Sequence, residues 1–312
     1  MDEPLLCVLG SLNLDCLVPV PHLPRPGETV LGGPALRAAG GKGANQAAAA
    51  ALQGVHTRLL GAAGADEAGD FLLLELAERG VDVSAVLRLP EAGTGRAWIS
   101  VDPAGENTIV VDPGANAVLA PEHLEHLAES LGEASLLLVQ LEIPETTVER
   151  ALQLAVEAGV PVLLNAAPLP RPLPRAWLER VQALVVNESE ARVQAGPGSE
   201  DLAPVPLLAR LRETGAGEVY LTRGAHGAWR ASAHRYLLQE AFPVSARDTT
   251  GAGDAFCGVL AAALARGERP AAALRRAAAA GGLAATRPGA LPSLPGREEV
   301  DALLAEGAAG EA

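Results

Sequence analysis

A chain of 312 residues that is 49% hydrophobic and 20% charged can bury enough apolar surface to offset chain entropy, which excludes a disordered protein and fits one large domain carrying an accessory piece. Its 38 acidic residues against 24 basic ones, a net charge of -14, exclude a general nucleic-acid surface, so any phosphate site must be local. Cys7, Cys16 and Cys257 have no Cys-x-x-Cys spacing, the start Met1-Asp2-Glu3-Pro4 is acidic where a secretory signal is basic, and no apolar run approaches the roughly 20 residues that span a bilayer; a reducing cytoplasm is the expected setting.

In chain order, compact apolar runs at Leu5–Leu9, Thr57–Leu60, Leu136–Val139, Val160–Leu164, Ala183–Val186 and Glu218–Leu221 predict strands buried on both faces. Helices are predicted at Gly43–Leu52, Ala68–Arg79, Pro121–Leu131, Pro144–Ala158, Ala203–Glu213, Ala252–Ala265 and Ala271–Ala285, all rich in Ala, Leu, Glu and Arg. This alternation predicts an α/β fold, a Rossmann-like three-layer α/β/α sandwich around a mostly parallel sheet. Two stretches break the rhythm with extended, one-sided patterns: Leu14–Leu36 and Arg96–Val111. The second carries the turn cluster Asp102-Pro103-Ala104-Gly105 and predicts a hairpin. Together the two insertions are expected to form a small β-sheet lid over the carboxyl ends of the main strands, where open α/β sheets bind ligands. Gly307–Ala312 reads as a frayed tail.

The segment Asp248-Thr249-Thr250-Gly251-Ala252-Gly253-Asp254 precedes a helix and presents backbone N–H groups at its positive end. There Asp254 can serve as a base beside a phosphate, although a tight turn with a dipole-complementing carboxylate has the same appearance. Gly40-Gly41-Lys42-Gly43-Ala44-Asn45-Gln46 also precedes a helix; Gly43 follows the lysine where a P-loop has Ser or Thr, so its polar groups suit a polyhydroxylated ligand or a phosphate rather than a P-loop nucleotide site. Asn13 and Asp15, just past the first strand, can grip vicinal hydroxyls or simply make a surface turn. Asn187 and Glu190 read both as a capping box and as a polar pair beside hydrated Mg2+. The histidines His22, His56, His123, His126, His226 and His234 show no metal-ligand spacing, and Trp98, Trp177 and Trp229 are assigned to apolar contacts in the core or the lid.

Taken in this order, the segments resemble the ribokinase-type (PfkB) carbohydrate kinases from about Leu5 to about Leu304. Both glycine-rich strings look like that family's two signatures. Further matches are Gly10-Ser11-Leu12-Asn13, Gln140-Leu141-Glu142, Asn165-Ala166-Ala167-Pro168, the run Thr222 to Gly227, and Thr286-Arg287-Pro288-Gly289-Ala290. The resemblance implies a single ribokinase-like domain over residues 1–312 with its lid at about 14–36 and 96–111. It implies ATP-dependent phosphorylation of D-ribose at the 5-hydroxyl. The alternatives are a kinase for deoxyribose, another pentose or a nucleoside, or a non-catalytic sugar-binding protein on this fold.

Carried over residue by residue, the sugar would be held by Asn13, Asp15, Gly41, Lys42, Gly43, Asn45 and Glu142. Asp254 would stand beside the accepting hydroxyl, and Gly251, Ala252 and Gly253 would form an anion hole. Asn187 and Glu190 would organise Mg2+ and phosphate through water, and Thr222, Arg223, Gly224, Ala225, His226 and Gly227 would cradle ATP together with Gly253. A monovalent cation, K+, would sit at Asp248, Thr250, Ala284, Arg287, Gly289 and Ser293. Family members look like lid-to-lid dimers, so a homodimer is expected. One departure is Ala278, where relatives often place a polar or ring-bearing residue against adenine.

Overall fold

The computed structural model describes residues 4–233 and 235–309; His234, Met1–Glu3 and residues 310–312 lie outside the described residues. From the N-terminus, β1 (Leu5–Leu9) leads to β2 (Asn13–Pro19), β3 (Leu36–Gly40), α1 (Lys42–Ala51), β4 (His56–Gly64), α2 (Glu67–Glu78), β5 (Val81–Asp82) and β6 (Val86–Leu89). The middle holds β7 (Gly95–Val101), β8 (Asn107–Asp112), α3 (Glu125–Leu131), β9 (Ala134–Val139), α4 (Glu145–Ala158), β10 (Val162–Asn165), α5 (Arg175–Leu178), β11 (Ala183–Asn187) and α6 (Glu188–Ala195). Then come α7 (Pro204–Glu213), β12 (Glu218–Thr222), β13 (Ala228–Ala231), β14 (Tyr236–Gln239), α8 (Ala252–Ala265), α9 (Pro270–Ala284) and α10 (Arg297–Ala309).

The main sheet runs β14-β13-β12-β11-β10-β9-β1-β4-β5, with β6 beside the far end of β4. Its pairs are parallel except β12/β13 and β13/β14. Side-chain alternation divides every central strand between two layers. Leu5, Cys7 and Leu9 face a core shared with α4, α6 and α7, while Leu6 and Val8 face one shared with α1, α2, α8 and α9. Leu137 and Leu138 of β9 divide in the same way, as do Leu184 and Val185 of β11. Because both faces are covered, these strands read as unbroken apolar runs, and the three-layer sandwich follows.

A second sheet of four strands has the order β3-β2-β7-β8, with β2/β7 parallel and the other pairs antiparallel. The β7–β8 hairpin closes at Gly105, whose φ of 84° only glycine adopts freely, and Asp102 Oδ1 accepts the N–H groups of Ala104 and Glu106 there.

The structure departs from these expectations in several places, among them the short elements β5, β6 and α5, which no apolar run or helical pattern announced. Leu14–Leu36 is not one extended stretch: β2 ends at Pro19 and the next strand, β3, begins only at Leu36. Pro19, Pro21, Pro24 and Pro26 bring no ladder N–H, and Gly27 turns the chain at φ 82°. Strand β4 continues past Leu60 through Gly61, Ala62, Ala63 and Gly64, residues of low strand propensity whose two glycines are approached by neighbouring backbone. A Cβ at Gly61 would lie 2.5 Å from the Gly10 carbonyl oxygen. Strand β13 and the edge strand β14 beside it carry mixed, partly exposed side chains and present no apolar run. Helix α10 extends through residues 307–309, part of the segment expected to fray.

Candidate active site

The loops beyond the carboxyl ends of β1, β9, β10, β11 and β12 converge on the N-termini of α1 and α8. Glycine makes that convergence possible. A Cβ on Gly43 would sit 2.5 Å from the backbone carbon of Gly10, so α1 starts against the β1 loop only because both positions are bare. Gly41 enters α1 at φ 90°, and Gly251 enters α8 at φ 77°.

Helix α8 has no side-chain cap; its Ala252 N–H donates to the Thr249 carbonyl at 3.2 Å, and its N-terminal end opens on the site. Asp254, in its first turn, is held by two amides of α1: Asn45 Nδ2 donates to Oδ2 at 2.9 Å and Gln46 Nε2 to Oδ1 at 2.9 Å. Burial raises the Asp254 pKa, opposed by the Lys42 ammonium and the two amide hydrogen bonds. Burial acts in the opposite sense on Lys42, but Asp254, Glu142 and Glu190 outweigh it, and the ammonium is held charged.

Glu142, after β9, is the anchor of the sugar-side cluster. Its Oε2 accepts from Ser11 Oγ at 2.5 Å and from the Lys42 N–H at 3.0 Å, and its Oε1 lies 3.8 Å from Lys42 Nζ. Asn13 is buried, and its Oδ1 accepts from Asn116 Nδ2 at 2.9 Å. Asn116 also brackets Leu12, accepting its N–H and donating to its carbonyl, both at 2.9 Å. Asp15, on β2 of the small sheet, presses against Gly40, where a Cβ would be 2.2 Å from Oδ2. Burial, followed by repulsion from Glu142 and Asp254, pushes its pKa up to about 6.

Three cavities surround this cluster. One of about 470 Å³ is lined by Asn13, Asn116, Glu142 and apolar neighbours including Val111 and Ile143. A second, about 230 Å³, holds Lys42, Asn165, Asn187, Glu190, Gly251, Gly253 and Asp254 on its walls. The third, about 460 Å³, runs along α8 and α9 past Gly224, Ala225, Gly227, Phe242, Val244 and Ala278. The last two share Thr222, Thr249 and Gly253, so they form one trench that meets the sugar-side cluster at Asp254 and Lys42.

The expected residues are distributed as follows. Asn187 and Glu190 form a complete capping box at the start of α6: Asn187 Oδ1 accepts the Glu190 N–H at 2.9 Å, and Glu190 Oε2 accepts the Asn187 N–H at 2.8 Å. Both also line the trench, so the cap and the wall are the same residues. Gly224, Ala225 and Gly227 line the apolar end. Arg223 and His226 are not among the lining residues, and the Arg223 guanidinium instead donates to Glu188 at 2.9 Å. Asp248 accepts the N–H of Thr250 at 2.9 Å and of Gly289 at 2.8 Å, tying the α8 approach to the loop that contains Arg287 and Ser293. These bonds hold its carboxyl below the ordinary range against the opposing effect of burial. The Arg287 guanidinium is turned away to Glu299, and Ser293 Oγ donates to Ala290 O at 2.7 Å.

Ser11, Gln46, Asn116, Gln140 and Asn165 belong to the site but were given no role from sequence. Four of them lie inside matched strings. Asn116 lies 104 residues from its Leu12 partner, in a short 3-10 helix, Gly114–Val118, with no local signal.

The pfkB family carbohydrate kinase profile matches residues 3–297, and the chain belongs to that family. Within it, the chain is 35% identical over 299 residues to a ribokinase of Bacillus subtilis, covering 96% of this chain and 99% of that one. It is 32% identical to a deoxyribokinase of Salmonella typhi, with 96% and 98% coverage. Among solved structures, Arabidopsis thaliana ribokinase complexed with ribose and ATP superposes with a TM-score of 0.91 at 32% identity, covering 97% of this chain and 99% of that one. Ribokinase from Thermotoga maritima gives 0.90 at 33% identity with the same coverage.

Proposed function

We propose that the chain transfers the γ-phosphoryl group of ATP to the 5-hydroxyl of D-ribose. The observation that carries this reading is the half-buried Asp254 carboxylate, set where the polar cluster of Asn13, Lys42, Asn45 and Glu142 meets the trench beside the α8 N-terminus. Ribose hydroxyls would replace water on Asn13, Asp15, Glu142 and Lys42, and Asn45 Oδ1, buried without a partner among the described residues, awaits a donor. Asp254 accepts the proton of the 5-hydroxyl, whose oxygen attacks the γ-phosphorus in line while the bond to ADP breaks. Gly251, Ala252 and Gly253 offer backbone N–H groups, and Lys42 a positive charge, to the moving phosphoryl oxygens. ATP would lie along the trench with its base among Phe242, Val244 and Ala278, a wall that selects by shape rather than by hydrogen bonds.

Mg2+ fits the pair Asn187 and Glu190, because the capping box occupies one Glu190 oxygen and leaves oxygen chemistry suited to a hydrated hard cation. Bound with ATP, it would neutralise phosphate charge. K+ fits the oxygen-only set of Asp248, Ser293 and the carbonyls of Thr250, Ala284, Arg287 and Gly289, a strap that sets the shape of the α8 turn. The three cysteines are unpaired, in keeping with a reducing cytoplasm. Among the described residues, no helix is long and apolar enough to cross a membrane.

A panel of ribose, deoxyribose, other pentoses and nucleosides, each with ATP and with GTP, in K+ and in a large organic cation, tests the whole reading. Ribose should give the highest kcat/KM, with ATP preferred and K+ activating. Sugar binding without ADP release would overturn it in favour of a non-catalytic binder, and a nucleoside preference would overturn the substrate.

Asp15 should trade stability for binding. Its pKa of about 6 lies above the unfolded value, so the ionised group costs stability above that pH, and the cost disappears as pH falls towards 4. Asp15→Asn is therefore expected to stabilise the ligand-free fold at pH 7 by up to about 3 kcal/mol while weakening ribose binding. Urea melts at pH 7 and pH 4.5 check this, since an equal effect at both values would contradict it.

The small sheet is proposed as a lid and as a dimer interface. Trp98 and Val110, paired across β7 and β8, are 44% and 61% exposed on one face of it, and Ile109 and Val111, 51% and 54% exposed, lie on the other, so a second copy meeting the sheet around a two-fold axis would cover apolar surface. Ile109→Asp is expected to weaken both association and ribose affinity. Light scattering that finds a fully active wild-type monomer at micromolar concentration would remove the dimer.

A further inference from the structure

Beneath Asp254 lies a chain of buried amides that the reaction as described does not use. Gln46 and Gln140 have no exposure and Asn165 only 7%. Gln46 Nε2 donates to Asp254 Oδ1 at 2.9 Å and to Asn165 Oδ1 at 3.0 Å, while its Oε1 accepts from Gln140 Nε2 at 2.8 Å. The Gln46 amide thus has both of its hydrogens and its oxygen engaged. Turned over, it would set oxygen against the Asp254 carboxylate and the Asn165 oxygen, and nitrogen against the Gln140 donor. Asn165 is oriented in turn by donating its Nδ2 to the Val185 carbonyl in the middle of β11, at 3.3 Å. Gln140 directly follows β9, and its own oxygen, buried without a hydrogen-bond partner among the described residues, packs against Gly10, where a Cβ would be 1.8 Å away. The direction of the chain is therefore set by sheet backbone at one end and ends on a carboxylate at the other.

We propose that Gln46, its amide oriented by Gln140 and Asn165, is a positioning residue that fixes the Asp254 carboxylate for proton transfer. This rests on the reading of Asp254 as the base. A purely space-filling glutamine would need neither the two donated bonds nor the Gln140 bond that prevents its rotation, and burying three amides for packing alone is costly. Besides Gln46, the carboxylate senses Lys42 and Asn45 from α1, Glu142 from the loop after β9, Asp15 from the small sheet and Cys257 from its own helix. All of these remain when Gln46 is changed, so the amide's part can be isolated.

The test uses Gln46→Met and Gln140→Met, which keep length and volume and remove the donors. Gln46→Met is expected to lower kcat roughly ten- to hundredfold with ribose KM within about threefold, and to move the acid limb of the kcat profile up by about one pH unit, because the ionised carboxylate loses a donor. Gln140→Met should shift both readouts in the same direction by less. Since Gln140 acts through Gln46, the double variant should be no slower than Gln46→Met alone; additive losses would overturn the chain as one unit. Thermal melts accompany each variant, and if Gln46→Met fails to fold, Gln140→Met carries the test with the same two readouts. Unchanged kcat and acid limb in folded variants would overturn the proposal. The base assignment fails separately: it falls if Asp254→Asn retains turnover, whatever the glutamine variants do.

Discussion

Asp254→Asn is expected to fold, to bind ribose and to lose turnover by roughly 10² to 10⁴, the usual worth of a positioned general base. Sugar affinity should persist because Asn13, Asp15, Lys42 and Glu142 keep their places, fixed by Asn116, Gly40 and Ser11 rather than by Asp254. An asparagine at this position can accept through only one atom. Either Asn45 or Gln46 then loses its acceptor, a cost of about 1–3 kcal/mol that melts should register as modest destabilisation. Removing the negative charge also relieves Asp15, whose pKa is raised in part by Asp254. The acid limb of ribose binding should therefore move to lower pH in the variant. Steady-state ADP release and calorimetric ribose titration over pH 5–8 check these points, and near-normal kcat would remove Asp254 from the chemistry.

What sequence could show here depended on how local the cause was. Leu5–Leu9 or Leu136–Val139 could be read because burial on both faces leaves an unbroken apolar string, and the two glycine strings because a helix entered at positive φ leaves few other residues possible. Tyr236–Gln239 could not, since an edge strand at the end of a sheet alternates without a strong pattern. Gly61–Gly64 look like a loop in composition and act as strand, the bare Gly61 lying against the Gly10 backbone and the bare Gly64 against Ala92 and Thr94, where no side chain fits. The site divides along the same line. Asp254, Lys42 and Asn45 stand in signature strings, whereas Asn116 acquires its role only when the chain folds back over 104 residues to Leu12. Arg223 shows the opposite failure: it stands in a matching string, yet Glu188, the first residue of α6, takes up its guanidinium and leaves Gly224, Ala225 and Gly227 to line the trench.

The two glycines before Asp254 should respond differently to the same substitution, and the contrast tests the anion hole. At Gly251 the backbone is left-handed, φ 77°, and a Cβ would lie 2.7 Å from Ala290 Cα, a backbone atom that cannot swing aside. Gly251→Ala must therefore pay about 1–2 kcal/mol for the conformation alone, and more as the 285–290 loop is pushed from Asp248. Lost stability and lost activity should appear together, which says little about chemistry. Gly253 differs in both respects: it lies inside the first turn of α8, and a Cβ there meets nothing within 4 Å. As a helix position, Gly253→Ala is expected to hold or gain stability by up to about 1 kcal/mol. The open space it would fill is the junction of the two trench cavities, which both include Gly253 in their walls. A methyl group at that junction stands where the moving phosphoryl group must meet the α8 N–H groups, and it should reduce kcat by at least about tenfold, towards the 10² to 10³ that loss of one such donor costs. Ribose binding measured without nucleotide should be unchanged. A stable Gly253→Ala enzyme with wild-type kcat and ATP KM would mean that the phosphoryl group passes elsewhere, and the turn at Gly251 would then be only a tight entry to the helix.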